Sequence, residues 1–288
     1  MTQLAETRTS GSFGILADLV AAGDAVILSG AGLSTESGIP DYRGPTGLAR
    51  QASGSTPMTY QAFTGSAAAR RRYWARSHLG WRHIARARPN HGHHAVAELD
   101  RRGLLAGIIT QNVDGLHQAA GASGVTELHG SLHRVSCLSC GQRTSRIDLG
   151  RRLTVANPGW DTEWDARINP DGDAVLGDDA AEEFQVVDCA SCHGVLKPDV
   201  VFFGENVPPQ RVEACYALVE RASSLIVLGS SLTVMSGFRY VRHAARQEIP
   251  TVIVNQGSTR GDEYAIATLD APLGRVLTAL IAAIQERR

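Results

Sequence analysis

Residues 25–32 read Ala-Val-Ile-Leu-Ser-Gly-Ala-Gly, an apolar run that ends directly in a glycine turn. Such a run predicts a buried strand whose carboxyl end enters the turn. Further apolar runs occupy 104–110, 200–203, 224–228 and 251–254. Helix-length segments lie between them, at 90–102, 209–221 and 237–248. This alternation predicts an α/β fold, a parallel sheet with helices on both faces.

Two segments depart from this alternation. Residues 133–197 are rich in Gly, Asp and Cys and contain too few apolar residues to form a core, so we predict a small lobe that needs another source of stability. Residues 59–88 have helical character and are predicted as the helical part of that lobe. The nucleotide-binding domain then comprises 13–58, 89–132 and 198–288. The conformation of 153–184 stays open.

The small lobe contains two CxxC pairs, which are Cys137, Cys140, Cys189 and Cys192. Two residues between cysteines allow both thiolates to reach one ion, and two such pairs complete the tetrahedral shell that structural zinc prefers. A closed shell has no open position for water, so the predicted metal stabilises the lobe without doing chemistry. The alternative is four buried or redox-active cysteines. Cys215 is predicted to be a core residue.

Composition excludes several classes of protein. The chain has 288 residues, 43% hydrophobic and 20% charged, with a net charge of -1. No apolar run approaches the roughly 20 residues that cross a bilayer, so no membrane association is expected. Acidic residues outnumber arginines in the small lobe, which disfavours a nucleic-acid partner. The first residues lack a secretory signal, which predicts a cytoplasmic protein.

The glycine turn differs from a dehydrogenase fingerprint. Gly30 and Gly32 suggest phosphate binding at the end of a strand, but Thr35 occupies the position of the third glycine. No convincing acidic residue follows about 20 positions later, so hydride transfer is disfavoured. The polar segment 33–43 would project beyond the strand's carboxyl end, where ligands of parallel sheets bind.

Several motifs together resemble the Sir2 family, the sirtuins. They are residues 30–43, 110–117, 128–130, the two CxxC pairs, 197–205, 229–232 and 254–257. They occur in the family's order, and the similarity extends from about residue 13 to 285. Residues 72–76, 170–173 and 196–198 resemble the class II branch. The resemblance implies a Rossmann-like parallel sheet, NAD consumed as a co-substrate, one structural zinc ion, and acylated-lysine proteins or peptides as partners.

The resemblance also implies which residues bind NAD. Ala31, Gly32 and Ser34 would hold phosphates by backbone amides, and Ile39, Asp41, Asn112 and Asp114 would accept nicotinamide. Asn255 and Gln256 would meet the adenosine. The remaining expected contacts are Gly30, Tyr42, Arg43, Gln111, Val113, Gly229, Ser230, Ser231, Gly257 and Leu273. Arg43 could instead form an exposed ion pair.

The implied activity is lysine deacylation. In sirtuins the acyl oxygen attacks the nicotinamide ribose, nicotinamide leaves, and a base activates a ribose hydroxyl to attack the resulting imidate. The products are free lysine and O-acyl-ADP-ribose. His129 occupies the family's position for the base, and Asn112 is the second expected catalytic residue; histidine suits this task near neutral pH. His117 is a second candidate base, whereas capping and solvent contact are expected for His91, His93 and His94.

The expected substrate contacts are Val200, Val201, Phe202, Phe203 and Gly204, a segment that resembles the one to which sirtuin substrates add as a strand. At least one of the two phenylalanines is expected to be core packing. The pair Tyr73 and Arg76 matches the spacing that reads acidic acyl groups in desuccinylating sirtuins. Ordinary packing and a solvated arginine explain that pair equally well, so the acyl preference stays open.

Two other functions remain as alternatives. A protein mono-ADP-ribosyltransferase would transfer ADP-ribose to a nucleophile other than the acyl oxygen. A non-catalytic nucleotide-binding module would need the same sheet, since fold alone does not fix function. It would have no need of Asn112, Asp114 and His129 together. The protein substrates and the oligomeric state are not predicted.

Overall fold

The computed structural model describes residues 2–41, 57–160, 169, 172–176 and 181–287. The α-helices in these ranges are α1 Thr2–Ala21, α2 Tyr60–Gly65, α3 Ala67–Arg86, α4 His91–Arg101, α5 Leu116–Ala119, α6 Arg146–Ala156, α7 Pro209–Glu220, α8 Met235–Arg246 and α9 Leu273–Glu286. The strands are β1 Ala25–Ser29, β2 Leu105–Thr110, β3 Val125–Glu127, β4 Gly130–Cys137, β5 Arg143–Ser145, β6 Leu196–Val200, β7 Ser224–Leu228, β8 Thr251–Asn255 and β9 Ala267–Asp270.

The larger sheet has six strands among the described residues, in the order β3-β2-β1-β7-β8-β9. All neighbouring pairs are parallel. From the central strand β1, the sheet extends to β2 and β3 on one side and to β7, β8 and β9 on the other. Ligands of such sheets bind outside the carboxyl ends of the strands at this reversal, between β1 and β7.

Helices cover both faces of this sheet because the strands are buried on both sides. Ile27 of β1 packs in one core with Leu16 of α1, Val96 of α4 and Leu277 of α9. Its neighbour Val26 belongs to a separate core, together with buried residues of α7 and α8. Successive side chains of a strand point to opposite faces, so one continuous apolar run supplies both cores.

A second, antiparallel sheet has the order β5-β4-β6. It shares one core with α2, α3 and α6, in which Phe63, Trp74 and Leu153 are almost completely buried. The helical character predicted for 59–88 is therefore confirmed by α2 and α3. The division of the chain into domains stays a prediction, although this shared core supports assigning α2 and α3 to the small lobe.

Residues 172–176, called the strap below, lie against the middle of α3. The backbone N–H of Ala174 donates to the carbonyl of Arg76 over 3.1 Å. A Cβ on Gly80 would lie 1.8 Å from the carbonyl oxygen of Gly172, so the backbones touch at this point. Ala174 and Leu176 are buried beside Leu79. The absence of a side chain at residue 80 therefore lets the strap close on the helix.

Arg146, the first residue of α6, is a buried cation in the small lobe, only 1% exposed. Its guanidinium lies 5.5 Å from the ring centroid of Trp74 and 5.4 Å from that of Trp81, and it donates to the carbonyl of Ser77 over 3.0 Å. Burial lowers its pKa to about 10. Cation–π contacts and a hydrogen bond thus join α6 to α3.

One predicted strand is wrong in its placement. Residues 200–203 were expected in the parallel sheet, but β6 ends at Val200 and pairs antiparallel with β4 in the small sheet. Hydrophobicity predicts a strand without specifying its partner, and here the partner is β4, which ends at Cys137, the first cysteine of the first CxxC pair. The strands predicted near 25–28, 104–110, 224–228 and 251–254 are confirmed. In the described residues no helix has the length and apolarity needed to span a membrane.

Candidate active site

The turn after β1 meets the turn after β7 at the reversal point of the sheet. A Cβ on Gly30 would lie 2.7 Å from Cβ of Ser230, and one on Gly32 would lie 2.9 Å from Cα of Gly229. Both positions require glycine because the two backbones are in contact. The N–H of Gly32 donates to Gly229 and the N–H of Ser34 to Ala31. These two amides, predicted to hold phosphate, are therefore already bonded to carbonyls in this structure.

Polar side chains from the end of β2 converge on Ser34. Asp114 is buried, and its Oδ2 accepts from Oγ of Ser34 over 2.6 Å, while its Oδ1 accepts from the N–H of Leu116. Nδ2 of Asn112 donates to the same Oγ and to the carbonyl of Gly30, each over 3.0 Å. Burial raises the pKa of Asp114. These groups form a largely buried, hydrogen-bonded cluster suited to holding a polar ligand such as an amide.

His129 lies between β3 and β4, half-buried at the other side of this cluster. Its Nδ1 is 3.0 Å from the carbonyl oxygen of Gln111 and its Nε2 is 2.8 Å from Oγ of Ser236. Burial lowers the pKa of the imidazole to about 4, with a smaller contribution from Arg211; the Gln111 carbonyl acts in the opposite direction. The ring is therefore neutral at pH 7, as a general base must be.

The other histidine candidates lie behind this cluster. Nε2 of His117 is 2.8 Å from Oγ of Ser29, and its ring packs edge-on to that of His93 at 5.3 Å. His93 forms a capping box with Asn90 at the start of α4. The expected cap is confirmed, but the expected solvent contact is wrong for His93, which is fully buried by α4 packing on the sheet. Burial lowers the pKa of His93 to about 3 and that of His117 to about 4.

A cavity of about 690 Å³ opens between these elements. Among the described residues His117 does not line it, whereas His129 does. The expected NAD contacts that line it are Gly30, Ala31, Gly32, Ser34, Ile39, Asp41, Gln111, Asn112, Val113, Asp114, Gly229, Ser230, Ser231, Asn255, Gln256 and Leu273. Gly257 is not among its lining residues; its carbonyl accepts from Nδ2 of Asn255 over 2.9 Å. Tyr42 and Arg43 lie outside the described residues.

The expected substrate segment, Val200 to Gly204, also lines the cavity. The N–H of Val201 donates to the carbonyl of His129 over 2.8 Å, which fixes the segment beside the imidazole. Phe202 is buried against Phe63 and Tyr73, so the expectation that at least one of the two phenylalanines is core packing is confirmed. Phe203 is 45% exposed.

The two residues of the predicted Tyr73–Arg76 pair have different surroundings, and only Tyr73 faces the cavity. Tyr73 is buried and lines the cavity. Nη2 of Arg76 donates instead to the carbonyl of Leu176 in the strap over 3.2 Å, and Arg76 is not among the residues that line the cavity. The reason is the strap, which comes from a distant part of the sequence and lies beside this face of α3.

Sequence reasoning missed several lining residues. The first turn of α8 contributes Met235 and Ser236, and Glu36 and Glu205 add carboxylates. Glu36 accepts from the N–H of Gly274 at the start of α9 over 3.1 Å. Ser236 could have been found from its place shortly after a strand that ends at the ligand-binding edge. Nothing local to Glu36 reveals its partner, which is 238 positions away.

The four cysteines of the CxxC pairs come together as predicted. All four sulfur atoms lie within 4.8 Å of one another. Gly194 is needed here, since a Cβ would lie 2.9 Å from Sγ of Cys137. The N–H groups of Cys140 and Ser139 favour the thiolate of Cys137 and lower its pKa. Four thiolates at this separation fit a structural zinc ion, and Cys215 is buried in the main core as expected.

Comparisons with known proteins agree with this geometry. Residues 30–236 match the family model described as Sir2 family. The chain is 63% identical over 266 residues to "NAD-dependent protein deacetylase 1" of Streptomyces coelicolor, covering 92% of this chain and 87% of that protein. It is 50% identical over 258 residues to "NAD-dependent protein deacetylase 1" of Mycobacterium avium, covering 88% and 89%.

Solved structures give the same result for the fold. One, described as "Structural Basis for the Mechanism and Regulation of Sir2 Enzymes", matches with a TM-score of 0.75 at 27% identity, covering 96% of this chain and 99% of that chain. Another, described as "Sir2-p53 peptide-NAD+", matches with a TM-score of 0.69 at 29% identity, covering 92% and 95%. On the sequence match and the fold together, this chain belongs to the Sir2 family, the sirtuins.

Proposed function

We propose that this chain is an NAD-dependent protein lysine deacylase in which His129 is the general base. The observation that carries the proposal is a single cavity lined by His129, by Asn112 and Asp114, and by the segment 200–204. A base, an amide-binding cluster and a candidate peptide edge therefore face the same space. The names of the Streptomyces and Mycobacterium relatives and the peptide and NAD+ complex of a Sir2 protein support this assignment.

The cluster around Ser34 is proposed to hold the nicotinamide end of NAD. Asn112 and Asp114 supply a donor and an acceptor in a largely buried environment, where an unpaired amide would be costly. The turns at Gly30 and Gly229 would accept the phosphates, and Asn255 with Gln256 would meet the adenosine. The side chain of Asn112 bonds both to Ser34 and to the carbonyl of Gly30 in the glycine turn, which supports its expected role beside the base.

His129 is proposed to remove the proton from a ribose hydroxyl of NAD. Its neutral ring at pH 7 has one unprotonated nitrogen, and the carbonyl of Gln111 would stabilise the imidazolium after proton transfer because it accepts from Nδ1. NAD is consumed in the reaction, which yields nicotinamide, free lysine and O-acyl-ADP-ribose. The zinc ion holds the small lobe and takes no part in these steps.

The acylated peptide is proposed to add as a strand along residues 200–204. Backbone hydrogen bonds would supply affinity, so acyl-lysine recognition depends on the cavity rather than on flanking sequence. Tyr73 shares an apolar cluster with two other residues that line the cavity, Met58 and Phe202. Arg76 bonds to the strap, so the pair that would read a carboxylate is incomplete. We therefore propose uncharged acyl groups, acetyl or longer, as the substrates.

The proposal also covers the branch of the family, the class of partner and the cellular compartment. The residues at 72–76 favour the class II branch of the family. The excess of acidic residues in the small lobe argues against nucleic acid as a partner. Four cysteines that must remain thiolates for zinc suit a reducing compartment, so we propose that the enzyme acts in the cytoplasm.

The test is nicotinamide release by the purified protein with NAD and a panel of acyl-lysine peptides. The panel contains acetyl, long-chain acyl, lipoyl, succinyl and glutaryl groups, and His129→Ala is assayed in parallel. We expect uncharged acyl groups to stimulate release and the variant to form no deacylated product. His243→Ala is the matched control, because that histidine lies on α8, pairs with Glu220 and is not among the residues that line the cavity.

Each outcome decides part of the proposal. Stimulation by succinyl or glutaryl peptides alone would contradict the acyl preference but keep the deacylase assignment. Bound NAD with no peptide-dependent turnover would overturn the assignment. ADP-ribosylation of protein targets under those conditions would identify a mono-ADP-ribosyltransferase instead.

A further inference from the structure

Ser236 lies in the first turn of α8 and lines the cavity, yet none of the expected roles includes it. Its Oγ is 2.8 Å from Nε2 of His129, a residue 107 positions earlier in the chain. A serine near a helix start often bonds to its own backbone. Here the hydroxyl of Ser236 is bonded to the imidazole of His129 instead, which points to a role for this hydroxyl in the active site.

The other contact of the ring fixes which nitrogen carries the proton. A carbonyl oxygen can only accept, so the 3.0 Å contact with Gln111 places the hydrogen of neutral His129 on Nδ1. Nε2 then has a free lone pair. The hydroxyl of Ser236 donates to that lone pair and directs it toward the cavity.

The first turn of α8 is shaped to support this arrangement. A Cβ on Gly237 would lie 2.5 Å from Oε1 of Gln111, so a larger residue at this position would force that side chain to move. The side chain of Gln111 is in turn held by a 2.7 Å bond to Oγ of Ser230. Glycine inside a helix is ordinarily unfavourable. Its presence here lets the first turn of α8, which carries Ser236, pack against the side chain of Gln111, whose carbonyl is the other partner of His129.

We propose that Ser236 is a positioning residue for His129. It keeps Nε2 unprotonated and at the cavity wall, and this contact is retained when a ribose hydroxyl of NAD approaches the same nitrogen. The ribose O–H proton then moves to Nε2, the Ser236 hydroxyl keeps its own proton, and Nδ1–H stays bonded to Gln111. This inference rests on the proposed function of His129.

The role predicts a selective defect in Ser236→Ala. Without the donor, the ring can rotate or adopt the other tautomer, so kcat for deacylation should fall about tenfold, the effect of one lost hydrogen bond. KM for NAD and for peptide should change less than about twofold. Nicotinamide exchange should be retained, because nicotinamide leaves before the base acts. The ratio of exchange to deacylation therefore rises.

Two further variants isolate the hydroxyl. Ser236→Thr keeps it and Ser236→Val replaces it with a methyl group in nearly the same shape. We expect Thr to recover most of the rate and Val to resemble Ala. Equal rates for Thr and Val would overturn the proposal, and thermal melting of each variant identifies any that fail to fold. A purely structural role would lower exchange and deacylation together.

An activity-independent measurement uses the ring nitrogens of His129 in the free protein. Nitrogen-15 NMR of histidine, assigned by the signal lost in His129→Gln, reports the tautomer and the pKa. We expect the Nδ1–H tautomer in the native protein and a higher pKa in Ser236→Ala. Loss of a donor to the neutral ring raises that pKa, while Arg211, the charged group that acts on the ring, is unchanged.

The two readouts separate this inference from the proposed function. If no acyl peptide is deacylated by the native protein but the tautomer changes in Ser236→Ala, the function fails and the positioning role stands. If deacylation occurs and Ser236→Ala leaves the tautomer, the pKa and the rate unchanged, the positioning role is refuted.

Discussion

Gly80→Ala is a substitution for which the structure reverses the ordinary expectation. Alanine in place of glycine inside an exposed helix stabilises a protein by about 1 kcal/mol. In α3, however, the added Cβ would lie 1.8 Å from the carbonyl oxygen of Gly172 and 3.0 Å from the backbone nitrogen of Ala174. These are backbone atoms, so no side-chain rotation relieves the clash. The strap must move away from the helix.

The size of the effect follows from what the strap would lose. The bond from Ala174 to the carbonyl of Arg76 contributes about 1 kcal/mol. Exposure of Ala174 and Leu176, now almost fully buried, costs about 2–3 kcal/mol. Subtracting the gain of about 1 kcal/mol in helix propensity leaves a net destabilisation of about 2–3 kcal/mol.

Gly150→Ala is the matched control for this measurement. Gly150 lies inside α6, and its new Cβ would have only Nη1 of Arg146 within 4 Å, at an ordinary 3.5 Å. We expect this variant to gain about 0.5–1 kcal/mol. The free energy of unfolding of both variants is measured by urea titration. If Gly80→Ala is stabilised as much as Gly150→Ala, the strap does not pack on α3 as described.

Other predictions test the cysteine cluster, the buried histidines and the amide site. The purified protein should contain one zinc ion per chain; Cys189→Ser should lose it and become sensitive to proteolysis in the small lobe, as metal analysis and limited digestion would reveal. Asp114→Asn should lower nicotinamide release about tenfold to a hundredfold at saturating peptide, because Ser34 loses a charged acceptor; an unchanged rate would place nicotinamide elsewhere. The folded-state pKa values of His93 and His117 are about 3 and about 4, so the unfolded chain takes up protons first on acidification. The free energy of unfolding should therefore be insensitive to these groups above about pH 6.5 and fall below it, by about 1.4 kcal/mol per pH unit for each histidine. His93→Gln should reduce this slope by one proton; an identical slope in urea titrations between pH 4 and 6.5 would contradict the burial assigned to His93.

Local sequence patterns were sufficient to predict a strand or a site where the chemistry of the motif itself determines what the segment contacts. The run 25–28 with its glycine turn identified the central strand, and the two CxxC pairs identified a cluster that folding brings together across about 50 residues. Most expected NAD contacts line one cavity because they follow strands that end at the same edge of the sheet.

Contacts between segments that are distant in the sequence could not be predicted from local patterns. The destination of residues 200–203, the bond of Arg76 to the strap and the bond of Ser236 to His129 each depend on a partner that no local pattern specifies. The strap illustrates the reason. A single glycine in α3 permits its approach, and the sequence offers no signal that distinguishes this glycine from an unfavourable residue in a helix.

The chain contains a single lysine, Lys197, and its ammonium is 5% exposed, held by the carboxylate of Glu205 at 3.1 Å. A protein that strips acyl groups from lysines thus presents no lysine side chain of its own to reactive acyl donors. Antibodies against acyl-lysine should give no background from the enzyme in assay mixtures. Amine-reactive dyes or surfaces should likewise leave the folded molecule's side chains unmodified.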